Sequence, residues 1–162
     1  MEEFFCKTRI ISGSGAMTGY SSSNRPWQDY LGWISRVVIE DGVTGIGDYA
    51  FSGCYKPVEV INHSGLTITK GSYSNGEVAH YALEVHNGDS KIVNKDGYLF
   101  YTYEGVNYLV NYIGTDTVLT LPANYNGENY VINKYAFYNN DNITSVTIPD
   151  SVTSIGDFAF EK

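Results

Sequence analysis

The chain carries its own template. Residues 34–54 read ISRVVIEDGVTGIGDYAFSGC, and residues 143–162 read ITSVTIPDSVTSIGDFAFEK. At an offset of 109 they match at Ile34/Ile143, Val37/Val146, Ile39/Ile148, Asp41/Asp150, Val43/Val152, Ile46/Ile155, Gly47/Gly156, Asp48/Asp157, Ala50/Ala159 and Phe51/Phe160. A looser copy occupies 118–140. Its Ala136-Phe137 lies 23 residues before Ala159-Phe160, while its Leu121-Pro122 lies 27 before Ile148-Pro149. That copy therefore holds four extra residues, best placed around 124–129, where a surface turn tolerates insertion. Self-similarity at such a period predicts a solenoid, because one unit this small cannot bury its own apolar edge.

The spacing within a unit gives its local physics. Val146 and Ile148 alternate with polar residues, as a short strand with one buried face requires. Pro149 lacks the N–H a ladder needs and ends that strand. Val152 and Ile155 turn back inward, Gly156 is read as a tight or left-handed position, and Asp157-Phe158-Ala159-Phe160 supplies a short turn that fills the interior. Heavy use of Tyr and Gly, with 15 and 17 residues, favours strands and turns over long helices.

The strand followed by I-P-D-S-V-T-S-I-G-D-x-A-F resembles the BspA-like leucine-rich repeat family of bacterial and protozoan surface proteins. It stands nearly intact at Ile148–Phe160. It stands again at Ile39–Cys54, with Glu40 in place of proline and the trailing Ser52-Gly53-Cys54 present. The resemblance implies a mainly β fold with short helical turns, a leucine-rich-repeat-like solenoid, which this chain's own residues interrupt with a middle segment containing a β-hairpin. It also implies a cell-surface or secreted home and adhesion to host or matrix proteins. The distance from Ala50 to Ala136 is not a whole multiple of 23, so residues 62–116 hold degenerate repeats or inserted structure.

The chain divides accordingly. Residues 1–33 are expected to form an initial strand over 10–17 and a short helix over 26–36. Pro26 would open that helix, Asn24 would cap it, and Trp27, Tyr30, Leu31 and Ile34 would share one face. That face is either a sugar-stacking platform or a cover for the end of the stack. Residues 34–62 carry repeat units and 63–117 the degenerate segment. Within the latter, 66–69 is expected as a strand, 77–86 as a helical turn and 98–112 as a hairpin turning at Glu104-Gly105. Residues 118–162 carry two further units.

Composition bounds the partners. A net charge of −8, with ten scattered basic residues, disfavours nucleic acid and anionic membranes. No run of about 18 apolar residues predicts a membrane span. Met1–Cys6 is acidic and too short for a secretory signal, and the motif closing at Lys162 reads as an excerpt from, or short relative of, a longer array. Two cysteines, Cys6 and Cys54, neither fix a disulfide nor suffice for a zinc site.

Chemistry is not expected. His80 and His86 are six apart, off the spacing of a helical metal pair, and Ser12-Gly13-Ser14-Gly15 lacks the Lys-Ser/Thr of a phosphate loop. Asp48 and Asp157 recur with the repeat and read as turn residues, and Glu40-Asp41 lacks EF-hand spacing. No cofactor and no metal are implied. The leading function is a non-catalytic protein-binding module. Its face would comprise the outward strand positions Arg36, Val38, Thr120, Ser145 and Thr147, with Tyr101 and Tyr103 of the hairpin. A spacer that presents another domain would instead show a bland Ser/Thr face. A carbohydrate-binding module would use the aromatics, and a carbohydrate-active enzyme would need a carboxylate pair that the sequence does not offer.

Overall fold

The computed structural model describes residues 7–21 and 23–162. A Cys6–Cys54 pairing and the whole of Met1–Cys6 therefore lie outside the described residues. The chain forms two compact units, residues 1–90 and 91–162. Each is a stack of coils of the expected leucine-rich-repeat-like kind, almost all β, with 3-10 turns at Gln28–Trp33 and Asn75–Glu77.

In the first unit the strands that open successive coils form a parallel sheet. Its order is β1 (Lys7–Ile11), β3 (Ile34–Ile39), β5 (Glu59–Asn62) and β6 (Glu84–His86). Arg9 pairs with Val37, Val37 with Val60, and Val60 with Val85, so one inward column runs through the stack. A second strand in the first two coils had no period-2 signal to announce it. β2 (Gly15–Ala16) pairs in parallel with β4 (Val43–Gly45). Ile39, Ala50 and Phe51 are buried with Trp27, Ile34 and Val60 in one core.

The N-terminal expectations need amending. Residues 10–17 are two short strands, not one. The helix is a single 3-10 turn, and Ile34 belongs to β3. Asn24 does not cap it, because its Oδ1 accepts from the Ser21 N–H instead. Trp27 is no sugar platform. It is buried, donates Nε1–H to the Ala50 carbonyl at 2.9 Å and stacks on Phe51 at 5.8 Å, with the Arg9 guanidinium 4.3 Å from its ring. Residues 66–69 form no ladder. The carbonyls of Leu66 and Thr67 accept from the side-chain amides of Asn62 and Asn75. Within 77–86, only the start belongs to a turn, and 84–86 is strand β6.

The second unit is built on a five-stranded sheet of order β13-β11-β9-β8-β7, where β7 is Val93–Lys95, β8 Tyr98–Tyr103, β9 Val106–Tyr112, β11 Tyr130–Ile132 and β13 Val152–Ile155. The hairpin β8–β9 turns at Glu104-Gly105, whose φ values of 49° and 77° are those of the tight turn that suits strand twist. β9 then runs parallel to β11, which lets the hairpin stand in for a coil. Beside it, β10 (Val118–Thr120) pairs with β12 (Ser145–Thr147). The register is Leu119 to Val146, 27 residues on, but Ile132 to Ile155, 23 on. The difference is the inserted turn at 124–129, closed by Tyr125–Glu128 backbone bonds of 2.9 and 3.0 Å and by the Tyr130 hydroxyl donating to the Pro122 carbonyl.

Gly47 and Gly156 are needed for a different reason than left-handedness. A Cβ on Gly47 would lie 2.2 Å from the Thr18 carbonyl oxygen, and one on Gly156 would lie 2.4 Å from the Lys134 nitrogen. The glycine lets the next coil approach. The left-handed residue is the aromatic two positions later, Tyr49 or Phe158, with φ of 58° and 57°, and Tyr135 takes the same place after Asn133 with φ of 60°. In the first unit, buried Arg25 donates Nη1–H to the carbonyls of Tyr49 and Ser52 and holds that turn. Gly156→Ala should therefore lower stability by roughly 2–3 kcal/mol in urea denaturation. Gly32→Ala, which meets nothing within 4 Å, should change it by less than about 0.5 kcal/mol.

Candidate binding surfaces

The sheet of the first unit faces outward through Thr8, Arg36 and Glu59, aligned by its register. The arrangement is not a free row of side chains. Arg36 donates from Nε and Nη2 to the Thr8 hydroxyl at 3.0 and 2.6 Å, and its Nη1 lies 3.8 Å from the Glu59 carboxylate. Glu59 is fully buried, at 0% exposure. Its second oxygen accepts from His86 Nε2 at 3.2 Å, and the Ser90 hydroxyl donates to the first. The Gly88 N–H donates to His86 Nδ1, so the ring proton sits on Nε2 and points at Glu59. This network ties the strands of four coils and the 87–90 turn together. Without its partners, a carboxylate so buried would cost several kcal/mol. Neither Glu59 nor His86 carried a sequence signal, since only parallel register brings them together.

The expected face residues divide into three groups. Arg36 and Val38 are half-buried in this sheet. Thr120, Ser145 and Thr147 are exposed, with Thr120 directly paired to Thr147. Tyr103 is half-buried, whereas Tyr101 is fully buried and cannot belong to a binding face. A register shift between Leu99 and Phe100 breaks the expected alternation, so Leu99, Phe100 and Tyr101 are all buried.

A different surface emerges where the coils of the first unit enter their strands. Tyr73 and His80 rings lie 4.1 Å apart, His80 and Tyr81 4.5 Å, and Tyr81 and Tyr55 5.1 Å. Tyr73 is 73% exposed, and Trp33, 42% exposed, extends the row beyond Tyr55 with the Lys56 ammonium 5.9 Å from its ring. The sequence hides this row because its rings come from three coils with no common spacing. In the second unit Tyr135 stacks on Phe158 at 5.3 Å and Phe137 on Phe160 at 4.8 Å, one ring from each of two neighbouring coils.

The recurrent aspartates serve through their backbones. The Asp48 carbonyl accepts from Tyr20 N–H and the Asp157 carbonyl from Tyr135 N–H. Among the described residues no group of three His, Cys, Asp or Glu side chains converges, and no helix is long and apolar enough to cross a membrane. Cys54 is core. Its thiol donates to the Leu31 carbonyl at 3.5 Å, and burial pushes it up to about 12. Native protein should therefore leave Cys54 unalkylated by iodoacetamide at pH 8, where an exposed thiol reacts in minutes, and unfolding in urea should release it, as read by peptide mass mapping.

A comparison with curated proteins finds none that matches. The crystal structure of a leucine-rich repeat protein from Eubacterium ventriosum ATCC 27560 aligns with 95% of this chain at 19% identity and a TM-score of 0.36, and the chain spans 58% of that protein. The BspA type leucine rich repeat region matches in six copies over residues 30–108 and 123–162. Such repeats generally mediate protein–protein interaction and are typically non-catalytic and surface-associated. By that match, the chain belongs to the family of BspA type leucine rich repeats.

Proposed function

We propose that this chain is a non-catalytic protein-binding module of a cell-surface or secreted repeat protein, and that its task is adhesion to host or matrix proteins. The observation that carries the reading is the row of touching rings Tyr55, Tyr81, His80 and Tyr73, half-buried at Tyr55, Tyr81 and His80 and exposed at Tyr73, with Trp33 exposed on the neighbouring coil. Rings of this kind offer large contact area at low entropic cost and are enriched where partners dock. The expected strand positions give a second candidate surface in each unit taken by itself: Arg36 and Val38 in the first, and Thr120, Ser145 and Thr147, with Tyr103, in the second. The Thr120–Thr147 pair is the observation that favours the spacer reading, since that part of the face is plain. Carbohydrate is the alternative ligand for the same rings.

The test is binding of the immobilised chain to a panel of purified extracellular matrix proteins, with and without their glycans. Tyr73→Ala/Tyr81→Ala should weaken the Kd at least about tenfold with an unchanged melting temperature. Thr120→Asp/Thr147→Asp should weaken it by less. The reverse ranking would move the site to the strand face. Loss of binding on glycan removal would make the ligand carbohydrate. No binding at about 10 μM, a weak-interaction concentration, would leave the spacer.

A further inference from the structure

We propose that Lys56 is a covalent modification site: a nucleophilic side-chain amine that is acylated by activated acyl donors, namely thioesters or acyl phosphates, near neutral pH.

The case starts from the register. Arg36 pairs with Glu59 and Glu59 with Glu84. Three residues earlier in each coil stand Trp33, Lys56 and Tyr81, so the lysine occupies a column whose neighbours are aromatic. Its residue exposure is 5%, and its ammonium faces the Trp33 ring at 5.9 Å. Among the described residues neither a carboxylate nor a hydrogen-bond acceptor holds its proton. Yet Ser151 Oγ is the one fully buried side-chain polar atom without a partner there, so the Lys56 nitrogen reaches solvent. A buried stem whose tip meets water and one ring face, with no carboxylate or hydrogen-bond acceptor beside it, is an environment in which an amine gives up its proton more readily.

Burial alone draws Lys56 down from 10.5 to about 8. At pH 7.4 about one molecule in five then carries the neutral amine, against about one in a thousand for an ordinary lysine. The lower basicity takes back about tenfold in intrinsic nucleophilicity, which leaves a gain of more than about tenfold. In the reaction the Nζ lone pair attacks the acyl carbonyl carbon and a C–N bond forms. The C–S or C–O bond to the donor breaks, and the thiolate or phosphate departs with the electron pair. The nitrogen proton goes to water. The product amide is neutral, which removes a poorly solvated cation from beside Trp33, and the half-exposed indole seats the acyl group.

The experiment treats the whole chain with limiting acetyl phosphate between pH 6.5 and 10 and quantifies acetylation of each lysine by peptide mass mapping. Lys56 should react at least tenfold faster than exposed Lys70 at pH 7.4, with a rate that levels off above about pH 8 to 9. Lys56→Met, which keeps the stem, should abolish the fast phase without altering the circular dichroism. A smaller ratio, or a Lys56 rate that keeps climbing through pH 10, overturns the proposal. Neither result depends on whether the chain binds a matrix protein.

Discussion

Parallel pairing between coils is the constraint on which everything else hangs. A coil here is one or two strands of two to seven residues, and none of these could satisfy its backbone groups alone. Each coil donates to the one before it: Val58 N–H to the Ser35 carbonyl, His63 N–H to that of Ile39, Gly156 N–H to that of Ile132. Closeness at the second strand is set by Gly47 and Gly156, which have no Cβ to hold the coils apart. The left-handed aromatic two residues on recurs at Tyr135, which follows Asn133, so it belongs to the turn itself, and Tyr135 and Phe158 stack ring on ring there. Hydrophobic burial stabilises the stack, but the pairing decides what is stacked on what.

That pairing also redistributes the surface. In many strand-faced solenoids the sheet is the natural docking site. In the first unit it is stitched shut by the Thr8–Arg36–Glu59–His86 network, with Ser90 closing over the carboxylate. Such a network gives specificity of register more than net stability, because desolvation of Glu59 offsets much of the attraction. At the edge where coils enter the sheet, Tyr55, Tyr81, His80 and Tyr73 touch ring to ring, and Tyr73 is open to water.

The repeats at 34–54 and 118–162 were legible because strong residues recur at fixed positions, and the four-residue insertion fell out of two offsets. The hairpin was legible from Gly105 between two aromatic runs. What stayed hidden has physical causes. β4 and β13 are three and four residues long, too short for alternation to count. Residues 66–69 have strand composition, but Asn62 and Asn75 take their carbonyls, a side-chain choice that propensity cannot see. Tyr101 was placed outward by strict period 2, and one bulge at Leu99/Phe100 reversed it. Glu59, His86 and Lys56 looked like ordinary polar residues because their surroundings come from coils 23 to 25 residues away.

A repeat array makes each residue comparable with its column. Where the column is uniform, as in Val37, Val60 and Val85, the side chain serves the scaffold. Where a residue departs from its column, the scaffold does not explain it. Arg9 departs from the valine column, and its place explains it: it lies in the first described coil, where its guanidinium covers the Trp27 ring and puts a charge toward water at the edge of the core. Lys56 departs from an aromatic column in the interior of the stack, where there is no end to cover. An aliphatic side chain there would avoid the desolvation of a cation. Packing favours something else at position 56, and that mismatch, more than any motif, marks it as a place where chemistry outweighs stability.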